Sequence, residues 1–463
     1  HQGASGNRTW ERSFADSAAR IEASNRLDIS AGRDIANLGS VMHSRGDLNL
    51  YAGRDVTIAS VEQRTSESRG SRYNREQITQ LGAEVAAGRD LTTTTSPSAA
   101  GNLSINAGRD LNVIASQLEA RRDISLAAGQ DVTLAAAANE SHFYSKSKKV
   151  TRQEDHVRQQ STVVNAAGDV FISSGQDLTL LASKVEAGKE AYLVAGNNIA
   201  LLSAEDQDYS YYFKKKKSGG LFSSKTKTTM SEASSSRAVS SSIRSGSDLT
   251  LAANNDITAR GAQLSSNETI ALYAGHDIVL DAAENTASKA SGKSKSSLFS
   301  SKSSNKSSES TSLTSTSLNG KSVELFADND ITLRAAAVHA EEGIILDAGR
   351  DIAISTAQQS QQSSQASKSN KLNWHLTDSL ATNGSFTLEN KGKGGKQSSV
   401  QEVGSTLSGG AIDINSGRDT SIRGSTLVAD RNIRVDAARN LSVVSGETSN
   451  TSSATSKTKN TGE

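Results

Sequence analysis

Apolar and polar residues alternate along short stretches of this chain, and polar turns separate the stretches. In "RGDLNLYAGRDVTI", residues 45–58, Leu48 and Leu50 alternate with polar residues, and Val56 and Ile58 repeat the pattern. Such alternation sends successive side chains to opposite faces of a strand. The pattern therefore predicts pairs of short strands whose Leu, Val and Ile side chains point into a core.

The same unit recurs down the chain with a period of about 21 residues. Gly32 and Gly53, in equivalent turns, are 21 residues apart. A third apolar position precedes each strand pair, so one unit holds three short strands. Such a unit cannot bury its apolar side chains alone, so neighbouring units must stack. We therefore expect an all-β fold: a right-handed parallel β-helix (β-solenoid) with about 21 residues and three short strands per coil, and about thirteen coils.

The recurrent "AGRD" turn suggests a role for its glycine and its aspartate. We expect Gly53 to supply a positive φ angle and Asp55 to bond its local backbone. The chain has one proline, Pro97, which is consistent with continuous ladders because proline lacks an N–H donor. It has no cysteine, which excludes disulfides and thiolate metal sites.

Longer segments interrupt the 21-residue period, always after a "DVTI"-type strand. We predict three regions: an N-terminal partial repeat or insertion at 1–24, a β-helix domain at 25–445, and a Ser/Thr/Lys-rich tail at 446–463. Insertions are predicted near 61–78, 139–162, 205–242, 285–316 and 358–405. These Lys- and Ser-rich segments are either solvated loops, flexible or hairpin-forming, or surfaces that contact a partner.

One insertion places aromatic side chains directly before a run of lysines. This combination suits contact with lipid headgroups, anionic glycans or nucleic acid. The net charge of the whole chain is only +1, which argues against a nucleic-acid partner. The candidate membrane or glycan contact residues are Tyr209, Tyr211, Tyr212, Phe213, Lys214, Lys215, Lys216 and Lys217.

No sequence motif for catalysis, cofactor binding or metal binding is recognisable. The seven histidines include no pair at helical i, i+3 or i+4 spacing, and no cysteine accompanies them. The "GKGGK" segment at 392–396 lacks the Ser/Thr of a phosphate-binding loop. We therefore expect a structural protein rather than an enzyme, with no cofactor.

The segment "AGRDLNVIASQLEARRDISLAAGQDVTL", residues 107–134, resembles the haemagglutinin repeats of filamentous-haemagglutinin-type exoproteins. The insertions, above all "YSYYFKKKKSGGLFSSKTKTT", look like the second repeat block of contact-dependent growth inhibition exoproteins. The resemblance covers essentially residues 25–445.

This resemblance implies a β-helical rod of a secreted Gram-negative exoprotein that helps to deliver a C-terminal toxin across the target-cell outer membrane. It implies as partners an outer-membrane two-partner-secretion transporter and the target-cell outer membrane or a surface receptor. The expected location is the cell surface, with a hold in the periplasm before target contact as a further expectation. The toxin and its immunity protein lie outside this chain. Two alternatives stay open: an adhesin that binds cell-surface glycans, and a passive spacer.

Overall fold

The chain winds into a parallel β-helix, with a second sheet of hairpins along one edge. The computed structural model describes residues 2–5, 8–13, 18–88, 101–220, 223–376 and 384–462, and every regular element among them is a β-strand. The strands form sheets of 22, 12 and 13 members. The predicted all-β parallel β-helix is confirmed, whereas Pro97 lies outside the described residues.

Each coil contributes one strand to each of three faces, which we call the first, second and third face in chain order. The first face contains Arg20–Ala23, Val41–Ser44, Glu84–Ala87, Gln117–Ala120, Val163–Ala166, Lys184–Ala187, Ser242–Ser245, Gln263–Ser266, Thr406–Gly409 and Thr426–Ala429. The second face contains Leu27–Ala31, Leu48–Ala52, Leu103–Ala107, Ile124–Ala128, Val170–Ser174, Ala191–Ala195, Leu249–Ala253, Thr269–Ala274, Ile412–Ser416 and Ile433–Ala437. Two longer strands, Ser317–Ala327 and Ala337–Ala348, run through both faces.

The third face is the 12-stranded sheet, so the described residues form twelve coils rather than about thirteen. Its members are Ile35–Leu38, Val56–Ala59, Leu111–Ile114, Val132–Ala135, Leu178–Leu181, Ile199–Leu202, Ile257–Arg260, Ile278–Asp281, Ile331–Arg334, Ile352–Ser355, Asp419–Arg423 and Asn440–Val444.

The core consists of inward-pointing apolar side chains that stack coil upon coil. The predicted inward residues Leu48, Val56 and Ile58 are each 0% exposed. Leu48 pairs in register with Leu103 of the next coil, which in turn pairs with Ile124. Because every coil places an apolar residue at the same point, the core is a set of continuous ladders along the axis.

The turn glycines are required by close stacking rather than by positive φ. Of the glycines in the "AGRD"-type turns described, only Gly88 has a positive φ, +78°. A Cβ on Gly53 would lie 2.3 Å from the carbonyl oxygen of Gly32 in the preceding coil. The expectation of positive φ is therefore wrong at Gly53, where the preceding coil leaves no room for a side chain.

The turn aspartates bridge coils, which corrects the expectation of a local backbone bond. Asp351 N–H donates to Asp330 Oδ1 (3.0 Å), and Asp419 N–H donates to Asp351 Oδ1 (3.2 Å). At the other turn of the coil, Asp169 N–H donates to Asp123 Oδ1 in the same way (2.9 Å). Each carboxylate thus accepts the N–H of the equivalent residue one coil further along.

Arginines beside these aspartates reinforce the same column. Arg350 Nη2 lies 2.6 Å from Asp330 Oδ2, and Arg439 pairs with Asp419. The Arg439 guanidinium lowers the pKa of the Asp419 carboxyl to about 2.

The 13-stranded sheet, which we call the hairpin sheet, leaves the corner between the third and first faces. Its strands are Gln2–Ser5, Arg8–Ser13, Val61–Arg69, Tyr73–Leu81, Ala137–Lys146, Val150–Gln160, Ala204–Gly220, Ser223–Val239, Ala283–Ser296, Ser300–Thr314, Ala357–Leu376, Gly384–Val403 and Thr448–Gly462. The five segments predicted as insertions fall on its hairpins at 61–81, 137–160, 204–239, 283–314 and 357–403. The division into domains stays a prediction.

Hairpins leave every second coil. In the intervening coils the corner is a tight turn through one residue with positive φ, either glycine or, at Ala115, Ala182 and Ala335, alanine with φ of 46°, 47° and 48°. This conformation costs alanine about 1–2 kcal/mol. Stacking between the flanking coils holds these alanines in place.

Gly175→Ala should lower the free energy of unfolding by about 1–3 kcal/mol. The added Cβ would push two stacked coils apart, and the coils cannot separate there without breaking backbone hydrogen bonds of their ladders. The new Cβ would lie 2.0 Å from the Gly129 carbonyl oxygen. Gly32→Ala is the matched control, since nothing lies within 4 Å of a Cβ there. Urea denaturation followed by circular dichroism compares the two, and equal effects would contradict the stacking role.

Acid should destabilise the aspartate column. The pKa of Asp419 is lowered from 3.8 to about 2, so its contribution is present above about pH 4 and is lost as the pH falls through about 2. Melting temperatures should therefore fall over this interval. Arg439→Gln should make the fall shallower, and an unchanged slope in that variant would refute the role of the ion pair.

Candidate functional site

Buried hydroxyl groups fix the base of the hairpins to the coils. Ser241 is 0% exposed and directly precedes the first-face strand that follows the hairpin at 204–239. Its Oγ lies 3.0 Å from the Leu180 carbonyl oxygen and 2.6 Å from that of Leu202, and it accepts the Ser183 N–H (3.3 Å). The hydroxyl therefore joins three coil segments at the point where the hairpin returns.

The same arrangement recurs at the base of three other hairpins. The equivalent hydroxyl residues, each 0% exposed, are Thr162, Thr316 and Ser405. Each lies near carbonyl oxygens of two third-face strands, as Thr162 does with Val113 (3.0 Å) and Ala135 (2.7 Å). None of these four residues was among the candidate residues predicted from the sequence. The available signal was a Ser or Thr one or two residues before the first apolar residue after four of the five insertions.

Successive hairpins pair edge to edge, so alternate residues of every strand point to the same side of one continuous sheet. The second strand of one hairpin pairs with the first strand of the next, as Val150 does with Lys214. Cross-strand partners share a face, which carries the alternation from strand to strand. The pairing register therefore decides which side chains of distant insertions lie together.

The eight predicted contact residues are divided between the two faces. Tyr212, Lys214 and Lys216 point to one side, which we call the lysine face. The other side, the opposite face, carries Tyr209, Tyr211, Phe213, Lys215 and Lys217. All four lysines are exposed and the four aromatic residues are half-buried. The eight residues therefore do not form the single aromatic–basic patch that the sequence suggested.

The lysine face gathers cations from three hairpins. Between Ala204 and Val403 its lysines, all exposed, are Lys214, Lys216, Lys225, Lys227, Lys289, Lys293, Lys295, Lys302, Lys306, Lys371, Lys391 and Lys393. In the same strands the opposite face carries Lys215, Lys217, Lys368 and Lys396. Charge is thus concentrated on one side of the sheet.

Four of these lysines form a row across consecutive strands near the hairpin tips, which we call the tip row. Lys216 lies opposite Lys227, Lys227 opposite Lys295, and Lys295 opposite Lys302. In the part of the chain that the structure describes, none of the four makes an ion pair with a carboxylate, whereas Lys391 pairs with Glu389. Directly opposed like charges destabilise a sheet, so the tip row costs folding free energy unless an anion neutralises it.

The base of the sheet is different, because acidic groups and histidines neutralise one another there. His142 lies between Glu140 (3.0 Å) and Asp155 (3.1 Å), and these carboxylates, Glu140 foremost, raise the pKa of its imidazole. Hydrogen bonds from His156 and Arg158 lower the pKa of Asp208. The charges of these histidines and carboxylates near the base are therefore paired, unlike those of the tip row.

On the opposite face, Tyr209 is engaged within the sheet. Its hydroxyl donates to Glu232 Oε1 (3.1 Å), and burial followed by this carboxylate raises the pKa of Tyr209. Its ring rests in the sheet beside Glu232, so Tyr209 is less available to a partner than its place in the sequence suggested.

One group of side chains has the composition of a cation site. His276 Nδ1 lies 3.0 Å from Asp256 Oδ1 and 3.2 Å from Asp277 Oδ2. His276 stands where other coils carry the arginine of the "AGRD" turn, and it makes the same contact to the preceding coil. The group is thus a histidine version of the Arg–Asp column.

Among the described residues there is no helix of the length and apolar character needed to cross a membrane.

The family model described as "Hemagglutinin repeat" matches residues 2–90, 88–151, 143–229, 222–302 and 297–461, and so nearly the whole chain. The chain is 26% identical over 300 residues, 65% of its length, to "tRNA nuclease CdiA" of Escherichia coli (strain STEC_O31). It is 28% identical over 172 residues, 37% of its length, to "16S rRNA endonuclease CdiA" of Enterobacter cloacae, and 26% identical over 265 residues, 57% of its length, to "Deoxyribonuclease CdiA" of Dickeya dadantii. It spans 8%, 5% and 8% of these relatives, respectively. No solved structure matches it.

Ser241→Ala should lower the free energy of unfolding by about 1–3 kcal/mol, because it leaves the buried Ser183 N–H without its acceptor. Ser218→Ala, at an exposed position on a hairpin of the same sheet, should change stability by less than about 0.5 kcal/mol. Urea denaturation measures both. A Ser241→Ala protein as stable as the control would show that the hydroxyl does not anchor the hairpin.

Proposed function

The chain belongs to the hemagglutinin-repeat family, and on that premise we propose that it is a non-catalytic rod of a secreted bacterial contact-dependent growth inhibition exoprotein. In this proposal the rod helps to deliver a toxin, carried elsewhere in the exoprotein, across the target-cell outer membrane. The hairpin sheet is the part that contacts the target, and the coils hold it in an ordered row.

The observation that carries the proposal is the one-sided lysine face. A sheet that served only as a spacer would gain nothing from directly opposed lysines, since their repulsion opposes folding. An anionic surface would neutralise the tip row and convert this cost into binding free energy. The bacterial outer surface is anionic, and lysines attract such surfaces over about 10 Å at about 0.1 M salt.

We propose no catalytic role for this chain, and no cofactor. The nuclease activities in the names of its relatives are those proteins' own, and the chain spans no more than 8% of the three relatives compared. The family match supports this view, because it is to a repeat that recurs five times along the chain rather than to a toxin domain.

The proposed partners are an outer-membrane two-partner-secretion transporter, which exports the full-length protein, and the target-cell outer membrane or a receptor on it. Toxin and immunity protein belong to other parts of the system. The proposed location is the cell surface of a Gram-negative bacterium, with a hold in the periplasm before target contact. No nucleic-acid partner is proposed.

The test uses the full-length exoprotein with Lys216, Lys227, Lys295 and Lys302 replaced by Ser. Serine suits this sheet, which is already rich in serine, and the change removes repulsion, so folding should be kept. Surface display and attachment should be unchanged, while killing of recipient cells should fall at least about tenfold, because the delivery step loses the contact between the tip row and the anionic target membrane. Immunoblotting of surface protein, cell co-sedimentation and recipient counts give the three readouts.

A charge-matched control replaces Lys215, Lys217, Lys368 and Lys396 of the opposite face by Ser. It should kill like the parent protein. Loss of attachment in the tip-row variant alone would favour an adhesin instead of a delivery rod. Full attachment and full killing in both variants would make the chain a passive spacer and refute the proposal.

A further inference from the structure

A groove crosses the lysine face over the last six strands of the hairpin sheet. It has a volume of about 930 Å³ and is lined by six strands, from the one that holds Ser231 to the one that holds Ser453. Six neighbouring strands span about 24 Å, so the groove is elongated along the axis of the rod. Its length crosses three hairpins and the final strand, which are far apart in sequence.

The pairing register places the groove on the lysine face. In each strand the lining includes residues of that face together with the residue between them, as with Lys289, Ala290 and Ser291. Lys289 lies opposite Ala233, and Lys306 lies opposite Ser291. Both lysines are therefore on the concave side, within the groove.

The lining combines small floor residues with cationic walls. Serine, alanine and glycine leave the floor open, and Lys289, Lys306 and Lys393 contribute the charges of the lysine face. Lys396, a residue of the opposite face, also borders the groove. The one carboxylate in the lining, Glu232, belongs to the opposite face, where its Oε1 accepts the Tyr209 hydroxyl (3.1 Å). Across the described part of the groove, the side that faces solvent is cationic and rich in hydroxyl groups.

Shape and chemistry together select the occupant. A concave groove about 24 Å long fits an extended chain better than a flat lipid surface, which would touch only its rims. Single-stranded nucleic acids need aromatic side chains on which bases stack, and the lining contains none. Lysine ammonium groups bind anionic groups as point charges, while serine hydroxyls and glutamine amides can bond sugar hydroxyls.

We infer that this groove binds one extended anionic polysaccharide, bearing phosphate or carboxylate groups, with the polymer lying along the rod. The inference rests on the proposed function, because it takes the hairpin sheet as the contact surface. It adds a ligand class and a location distinct from the tip row. A polymer bound in the groove would contact the rod over the whole length of the groove rather than at a single residue.

The first experiment titrates the chain with phosphomannan, polygalacturonate and neutral mannan, with binding measured by calorimetry at low ionic strength. Phosphomannan and polygalacturonate separate phosphate from carboxylate as the anionic group. Binding to either one, weakened by added salt, is expected, and mannan should not bind. Binding of mannan as tight as phosphomannan, or binding of neither anionic polymer, would overturn the inference.

The second experiment localises the site. Replacing Lys289, Lys306 and Lys393 by Ser should weaken binding of the anionic polymer at least about tenfold, or about 1.4 kcal/mol. Replacing Lys215, Lys217 and Lys368 by Ser removes the same charge from the opposite face and should change affinity less than about twofold. Circular dichroism verifies the fold of each variant. Equal losses of affinity in the two variants would show that only the net charge of the chain matters, and would overturn the assignment of the binding site to the groove.

The two proposals can fail separately. Vesicles that contain phosphatidylglycerol provide the lipid arm of the test. If they bind through the tip row while the polysaccharides do not bind at all, the groove inference fails and the contact role of the sheet stands. If the groove variant loses polysaccharide binding but the tip-row variant kills normally, the groove binds a glycan and the delivery proposal fails.

Discussion

The rise of one β-helical coil and the distance between neighbouring strands of a hairpin are the same length, about 4.8 Å, because the backbone hydrogen bond sets both. A hairpin of two strands is therefore as wide as two coils are tall. Hairpins leave every second coil, and each one meets the next edge to edge. If they left every coil they would collide, and if they left every third coil their edges would not meet.

This common spacing lets very polar segments fold without a core of their own. The hairpin at 283–314 consists largely of serine and lysine, and most of its residues are exposed or half-buried. Its order comes from backbone pairing on both edges and from the coil at its base. Buried hydroxyls such as Thr316 add the connection that a hydrophobic core would otherwise provide, because each satisfies backbone groups of two coils at once.

The same arrangement accounts for the proposed division of labour. The coils bury most of the large aliphatic side chains, so they fix the position and spacing of the hairpins. The hairpin sheet exposes both faces and is free to differ between them. Its register brings lysines from separate insertions into one row and one groove. The coils thus determine where the lysines of the hairpin sheet lie relative to one another.

The sequence by itself determined the coil, because period-two alternation and the 21-residue repeat are local signals of burial that each unit restates. It also located the interruptions and their polar, lysine-rich character. Only the tertiary structure decided what Gly53 and Asp55 do, because their constraints come from the preceding coil. A Cβ on Gly53 would lie 2.3 Å from the Gly32 carbonyl oxygen, and the Asp55 N–H donates to Asp34 Oδ1 (3.3 Å). Likewise, the strand at 204–220 separates Lys214 from Lys215, and only pairing between distant strands brings Lys216 beside Lys227 and Lys295. Neighbours in a strand point to opposite faces, and which distant residues share a face depends on a register that no single insertion contains.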